Sequence, residues 1–324
     1  MSGVQTFTMG ENDEGMRLDR WFKRAYPGLS HGRLEKLLRT GQVRLDGKRV
    51  KGNVRIEAGQ NLRVPPLDRE MIPKKKPLTA SVTKAEREEL QNLIVHMDHA
   101  VIALNKPPGL AVQGGSGTLR HLDGLLDGLQ FDAEERPRLV HRLDKDTSGV
   151  ILLARTAKAA TALARAFKDK TARKIYWGIV VGSPHLDRGT IKAALNKVGG
   201  KPGERVQIDE VSGKRAVTDY AVLDTAGGEI TWLALHPITG RTHQLRVHCQ
   251  AIGTPILGDG KYGGKQAFPD GLAYARQLHL HAYEIDIPHP AGGRLRVSAS
   301  PPTHFTDTMK TFGFYSDAYE DPFE

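Results

Sequence analysis

The sequence predicts an α+β protein, with a small helical module at the N-terminus and a larger domain around a mixed, mainly antiparallel sheet. Three observations predict it. Strand patterns crowd the second half, clearest in KIYWGIVVG (174–182), RAVTDYAVL (215–223) and EITWLALHP (229–237), with few helical stretches between them. The first fifty residues instead carry apolar positions at helical spacing. A stretch without periodicity, PPLDREMIPKKKPLTASVTK, separates the two. At 324 residues the chain is also longer than one hydrophobic core usually serves.

In chain order, residues 1–16 are acidic and expected to be flexible. Leu18, Trp21, Phe22 and Ala25 then mark one helix, and Pro27-Gly28 ends it. Ser30 can cap a second helix bearing Leu34, Leu37 and Leu38. QVRLDGKRV alternates like a hairpin with Asp46-Gly47 at its turn. Arg17, Arg20, Lys23, Arg24, Arg33, Lys36 and Arg39 crowd the helical pair, far outnumbering acids, which points to a polyanion-binding face over a merely solvated one. Residues 17–65 form this module and 66–84 a linker. In the domain that follows, 85–324, a short helix is expected over 85–93. A buried strand at Val101 to Leu104 ends at Pro107-Pro108-Gly109, a helix spans 118–129, a strand enters 150–154 and a helix covers 156–170. No internal repeat is evident.

Composition narrows the function. Lys plus Arg number 47 against 37 Asp plus Glu, a formal +10, which favours a polyanionic partner. No apolar run approaches membrane-spanning length and the start lacks a basic-then-apolar signal, so a soluble cytoplasmic protein without membrane contact is expected. Cys249 is alone, and His243 and His248 stand five apart, not at the i, i+4 spacing that aligns two ligands; no metal is expected. The GGSG at 114–117 lacks the Lys-Ser/Thr ending of a phosphate-binding loop, so no nucleotide cofactor is expected.

The segment HRLDKDTSG (141–149) sets three basic or potentially basic side chains around Asp144, between the apolar runs Leu139-Val140 and Val150 to Ala154. A lone loop carboxylate is ordinarily a cap or a solvated charge. Here the fixed residues His141, Arg142, Leu143, Asp144, Thr147, Ser148 and Gly149 match the HRLDxxTSG signature, and the segment resembles that of the RluA family of pseudouridine synthases. NKPPG (105–109), TGRTHQLRVH (239–248), GTPILGD (253–259), the YGG after it and LHLHA (278–282) match further motifs of that family in order. Residues 17–65 resemble the S4 RNA-binding domain. With GERVQIDEVSGKRAVTDYAV in the middle, the whole looks most like the RluC branch.

The resemblance implies a pseudouridine synthase fold and an enzyme that isomerises uridine in RNA without a cofactor, its partner being large-subunit ribosomal RNA or an assembling particle. A monomer is expected. It also implies Asp144 as the reactive carboxylate, acting at the sugar C1′ or C2′, and Arg241 as its charge partner. Tyr176 would lie against the uracil, with a possible part in moving the C5 proton. Leu280 would supply apolar wall, Arg142 would fill the space the base leaves, and His141 would either steer neighbouring phosphates or serve the structure of the loop. The rival expectation is a noncatalytic RNA-binding or ribosome-assembly factor with this fold. Ser148 reads as turn chemistry, since no His/Asp relay at hydrolase spacing accompanies it.

Overall fold

The computed structural model describes residues 3–67, 82–114, 120–199 and 205–324. Most of the expected linker, three of the four GGSG residues and the start of the helix expected from Thr118 lie outside them. The chain divides into two compact units, Met1–Ser81 and Val82–Glu324.

The first unit packs β1 (Gln5–Thr8), α1 (Leu18–Ala25), α2 (His31–Arg39), β2 (Arg44–Leu45) and β3 (Asn61–Val64) around one core. Leu18, Trp21 and Phe22 face Leu34, Leu37 and Leu38 there, as the helical spacing requires. The Ser30 hydroxyl accepts the Arg33 amide at the start of α2. Asp46 and Gly47 both take positive φ, 49° and 73°, the geometry of a tight hairpin turn. Within the stretch expected to be flexible the structure has a strand. β1 pairs antiparallel with β3, Gln5 opposite Val64, and Met9 is buried. The exposed row QTFT hides a strand because it caps a sheet edge and shows one face to water.

The second unit begins with α3 (Lys84–Gln91), capped by a reciprocal pair of bonds between Thr83 and Glu86. It continues through β4 (Ile94–Met97), β5 (Val101–Lys106), α4 (Leu122–Leu125), β6 (Arg138–Leu139), β7 (Ser148–Ala154) and α5 (Ala157–Lys168). Next come β8 (Arg173–Val181), β9 (Arg188–Lys192), β10 (Leu195–Val198), β11 (Arg205–Ile208), β12 (Val217–Ala226) and β13 (Ile230–Pro237). Last are α6 (Gln244–Ala251), β14 (Leu280–Pro288), β15 (Arg294–Ser298) and α7 (Thr303–Phe312). The helix expected over 118–129 is only a four-residue turn of α-helix followed by a 3-10 turn, with Gly124 and Gly128 inside the span. α6 begins inside the TGRTHQLRVH motif, where periodicity marks no helix, and runs three residues beyond it.

Among the described residues the central sheet has ten strands, in the order β4-β5-β7-β14-β8-β13-β12-β9, with β15 beside β14 and β6 beside β7. All its strand pairs are antiparallel except β7 with β14, where Ser148 faces His281 and Gly149 faces Ala282. This parallel seam places three things side by side: the loop entering β7, the first residue of β14 and the middle of β8. Helix α5 covers one face beside β7, burying Ala159, Leu163 and Ala166, while Leu245 and Cys249 of α6 pack with Leu233, Leu235 and Leu280.

The seam needs a glycine. Gly149 has φ of 109°, and a Cβ there would stand 2.2 Å from the Ala282 carbonyl oxygen. Gly149→Ala combines a forbidden backbone region with a backbone clash, so it should cost roughly 3 kcal/mol or more. Urea unfolding of the variant checks this; an unchanged midpoint and slope would mean that the seam is not tight.

Candidate active site

The HRLDKDTSG loop is held from several sides. The Thr147 amide donates to the Asp144 carbonyl at 3.3 Å and closes a turn. Lys106, only 1% exposed, reaches beneath the loop, its Nζ donating to the carbonyls of Pro107 (2.8 Å), Leu110 (3.0 Å) and Lys145 (3.0 Å). The Gly109 amide also donates to the Lys145 carbonyl, at 2.9 Å. One buried ammonium with all three protons used thus sews NKPPG to the Asp144 loop. Burial pushes Lys106 down to about 8, while the charges of Asp146 and Asp144 act to raise it.

His141 anchors the loop's other end. Its Nε2 accepts the Leu152 amide at 2.8 Å, and its ring stacks on Phe167 with centroids 4.5 Å apart. Burial, aided by the Lys174 charge, pushes its pKa down to about 3. Of the two readings expected for His141 the structural one fits: a neutral imidazole whose Nε2 already serves the backbone offers a phosphate no cation. Ser148 gives its hydroxyl proton to His281 Nδ1 (2.9 Å), because His281 Nε2 already donates to the Ala299 carbonyl (2.8 Å). Neither side chain lines the cleft, and among the described residues no carboxylate bonds this pair.

Beside the loop opens a cleft of about 560 Å³, lined by His141 to Asp144, Lys174, Tyr176, Pro237 to Arg246 and Leu280 among others. Its volume is in the range of small-ligand sites. The structure brings together here every residue expected at the catalytic centre: Asp144, Tyr176, Arg241, Arg142, His141 and Leu280. Leu280 is 3% exposed and forms wall. Arg142 is exposed on the rim, and among the described residues its side chain makes no hydrogen bond or ion pair. Burial, and then the Asp144 charge, raise the Tyr176 phenol well above its ordinary range, so it stays protonated. Lys174 is pushed down to about 8 by burial.

The expected pairing of Arg241 with Asp144 is corrected. Arg241 is exposed; its amide donates to Gln244 Oε1 (3.0 Å) and its Nε to the Arg215 carbonyl (3.2 Å), and among the described residues it makes no ion pair. The reason lies in the start of α6. Gln244 Oε1 also accepts the Thr239 hydroxyl (2.7 Å), which fixes the turn before the helix, and His243 is left-handed with φ of 53°. His243 and Arg246, three apart, then share one helix face. Arg246 is the buried cation, bound bidentate to Asp259 at 2.8 and 2.7 Å. Against burial, the Asp259 bonds and then the Asp144 charge hold it protonated. His243 Nε2 is 3.8 Å from Asp144 Oδ2. Lys106, His243 and Arg246 all sit inside recognised motifs, yet their roles depend on long-range contacts that motif spacing does not encode.

The charged residues expected on the N-terminal helices are exposed; among them Arg17 pairs with Asp19 at 2.5 Å, and Arg24 pairs with Asp13. Among the described residues no group of three or more His, Cys, Asp or Glu could hold a metal, and no helix is long and apolar enough to cross a membrane.

A family described as RNA pseudouridylate synthase matches residues 100–251, a span that holds the Asp144 loop, β8 and α6. A mitochondrial RNA pseudouridine synthase 4 of Arabidopsis thaliana is 36% identical over 90% of this chain and 75% of its own length. A ribosomal large subunit pseudouridine synthase C of Rickettsia conorii is 34% identical over 90% of this chain and 95% of its own. The chain belongs to the RluA family of RNA pseudouridine synthases. A solved structure, human RNA pseudouridylate synthase domain containing 4, superposes with a TM-score of 0.59 at 28% identity, over 71% of this chain and 96% of that one. The protein is therefore an isomerase. The synthase reaction breaks the N1–C1′ bond of uridine, rejoins the uracil through C5 and exchanges the C5 proton, with no net oxidation, reduction or hydrolysis.

The buried histidines give the synthase a defined acid sensitivity. Burial holds His279 and His281 at about 4, and His141 at about 3, well below the 6.5 of a free imidazole. Their folded pKa values are depressed, so the unfolded chain binds more protons in between. Stability is complete above about pH 6.5 and falls as pH drops towards 4, by up to ~1.4 kcal/mol per pH unit for each imidazole. Unfolding midpoints measured from pH 7 to pH 4 should decline throughout that window, and His281→Gln should make the decline shallower. A midpoint flat across it would contradict the neutral assignments.

Proposed function

We propose that this synthase converts uridines of large-subunit ribosomal RNA to pseudouridine, with Asp144 as its reactive carboxylate. The observation that carries the reading is the place of Asp144. Its side chain is 18% exposed, in a cleft whose walls include Tyr176 and Leu280, on a loop fixed by Lys106. A single ionised carboxylate there suffices for either route at the sugar, as nucleophile at C1′ or as base at C2′. Leu280 and the Tyr176 ring then flank the uracil. The raised phenol pKa keeps Tyr176 protonated in the free site, as a hydrogen-bond donor and stacking face for the base.

Uridine within folded RNA must leave its stack to reach a carboxylate so placed, which costs a few kcal/mol. Arg142, exposed at the rim and two residues from Asp144, is positioned to fill the vacated space. Arg241, tied loosely to one backbone carbonyl, serves the RNA backbone from the same rim. Residues 17–65 act as an S4-like docking module, with Arg20, Lys23, Arg33, Lys36 and Arg39 on phosphates and Arg17 and Arg24 exchanging their acidic partners for phosphate. The ribosomal target rests on the near full-length likeness to the Rickettsia conorii protein of that name. A cytoplasmic monomer with no cofactor is the form this reading assigns to the enzyme, since the isomerisation needs no redox or group carrier.

The test is release of tritium from RNA labelled at uridine C5. The wild-type protein should release it without added metal or nucleotide, and Asp144→Asn should lower the rate by several orders of magnitude while leaving RNA affinity nearly unchanged. Turnover by Asp144→Asn would remove Asp144 from the chemistry. Mapping pseudouridine in RNA from cells with and without the gene then tests the target: a site lost from large-subunit RNA supports it, and losses confined to other RNA would overturn it.

A further inference from the structure

His243 sits in the cleft at the end of a hydrogen-bonded chain that the reaction outlined above does not use. Its Nδ1 lies 2.5 Å from the Tyr262 hydroxyl, which in turn accepts the Val206 amide at 3.2 Å. Its Nε2 points the other way, 3.8 Å from Asp144 Oδ2. The backbone there is left-handed, φ 53°, a region that non-glycine residues enter uncommonly. The synthase thus tolerates a strained residue to aim this ring at Asp144.

The chain fixes which nitrogen carries the ring proton. A phenol has one proton and two lone pairs. If Nδ1 were protonated, Tyr262 would accept from both His243 and Val206, and among the described residues its own proton would have no acceptor. If Tyr262 donates to Nδ1, every group in the chain is satisfied and the ring proton lies on Nε2, facing the carboxylate. The charged and titratable groups around the ring are Asp144 from the loop before β7, Arg246 from α6, and Asp259, Lys261 and Tyr262 from the turn after it. Burial lowers the His243 pKa; Asp144 and Asp259 oppose this, while Arg246 and Lys261 reinforce it, and the net direction is towards the neutral ring.

We propose that His243 is a positioning residue for the isomerisation: Tyr262 holds it as the Nε2–H tautomer, and that N–H orients the Asp144 carboxylate towards the sugar. The proposal rests on the reading of Asp144 as the reactive group. A neutral donor suits the task. It directs one carboxylate oxygen while lowering the basicity of the carboxylate less than a cation in the same place would. Arg246, the nearby cation, is committed to Asp259 by two bonds. The 3.8 Å separation is too long for a hydrogen bond in the free protein, and it shortens as bound RNA displaces water from the cleft.

The test compares steady-state pH profiles of three full-length variants with wild type. Asparagine accepts the left-handed backbone and can still meet Tyr262, but is too short to reach Asp144, so His243→Asn should lower kcat about 10- to 100-fold with little change in KM. The acid limb of its kcat profile should move to higher pH, because the carboxylate has lost a donor that favours its charged form. His243→Gln, whose amide can stand near Nε2, should recover most of the loss. Tyr262→Phe removes the group that selects the tautomer and should show a smaller fall with the same sign of shift. A role confined to folding predicts something else: lower melting temperatures, with kcat per folded molecule and the pH profile unchanged. That result, or wild-type behaviour of both His243→Asn and Tyr262→Phe, overturns the proposal. Asp144→Asn in the same assay separates the two claims: an active Asp144→Asn sinks the underlying reading, and with an inactive one the His243 and Tyr262 variants alone decide the positioning role.

Discussion

The close approach of Gly149 to Ala282 is the constraint on which the rest of the catalytic unit depends. Where β7 and β14 run parallel, the two backbones meet at a point that admits no side chain. That contact sets where β7 begins, and hence where the chain must turn to enter it. The turn carries Asp144. On the other side of the seam β14 begins with Leu280, and its next neighbour, β8, presents Tyr176. A carboxylate, an apolar wall and an aromatic ring from segments more than thirty residues apart therefore converge through sheet pairing alone.

Electrostatics then builds a site in which few charges are free. Lys106 spends its protons on three carbonyls, and Arg246 is locked to Asp259. His141, His279 and His281 are neutral because burial makes their charged forms costly. Buried cations with backbone or carboxylate partners hold loops in place without ligating Asp144. Exposed cations such as Arg142 and Arg241 remain at the rim, where a polyanion would meet them. Partnered interior charges and exposed rim charges thus divide the work of shaping the site and receiving RNA.

Much of this was legible in the sequence, and the exceptions share a cause. The helices of the first unit, the turn at Asp46-Gly47 and the strands at β8, β12 and β13 follow from local periodicity and turn chemistry. The α+β class followed from the run of strand patterns with few helices between them, and the convergence of Asp144, Tyr176 and Leu280 from the family resemblance. What failed was the assignment of partners. Arg241 stands in a motif of the site, yet its guanidinium bonds the Arg215 carbonyl, and His141, beside Asp144 in sequence, takes the Leu152 amide. Lys106, His243 and Arg246 were present in the same motifs without roles, because their partners at Lys145, Tyr262 and Asp259 come from other segments of the chain. β1 was missed for a similar reason: its partner, β3, lies more than fifty residues away, and its exposed face leaves little apolar pattern.

The central claim is that geometry, beyond charge, makes Asp144 reactive: the Gly149 seam and the Lys106 clamp hold its carboxylate at one place in the cleft. Asp144→Glu keeps the charge and moves the carboxylate outward by one methylene. Single-turnover rates of pseudouridine formation on saturating RNA, measured for wild type and Asp144→Glu, test the claim most directly. The account predicts a loss of at least about 100-fold with RNA affinity preserved, as expected when a reacting group is misplaced by about an ångström. A glutamate variant that turns over at the wild-type rate would contradict it.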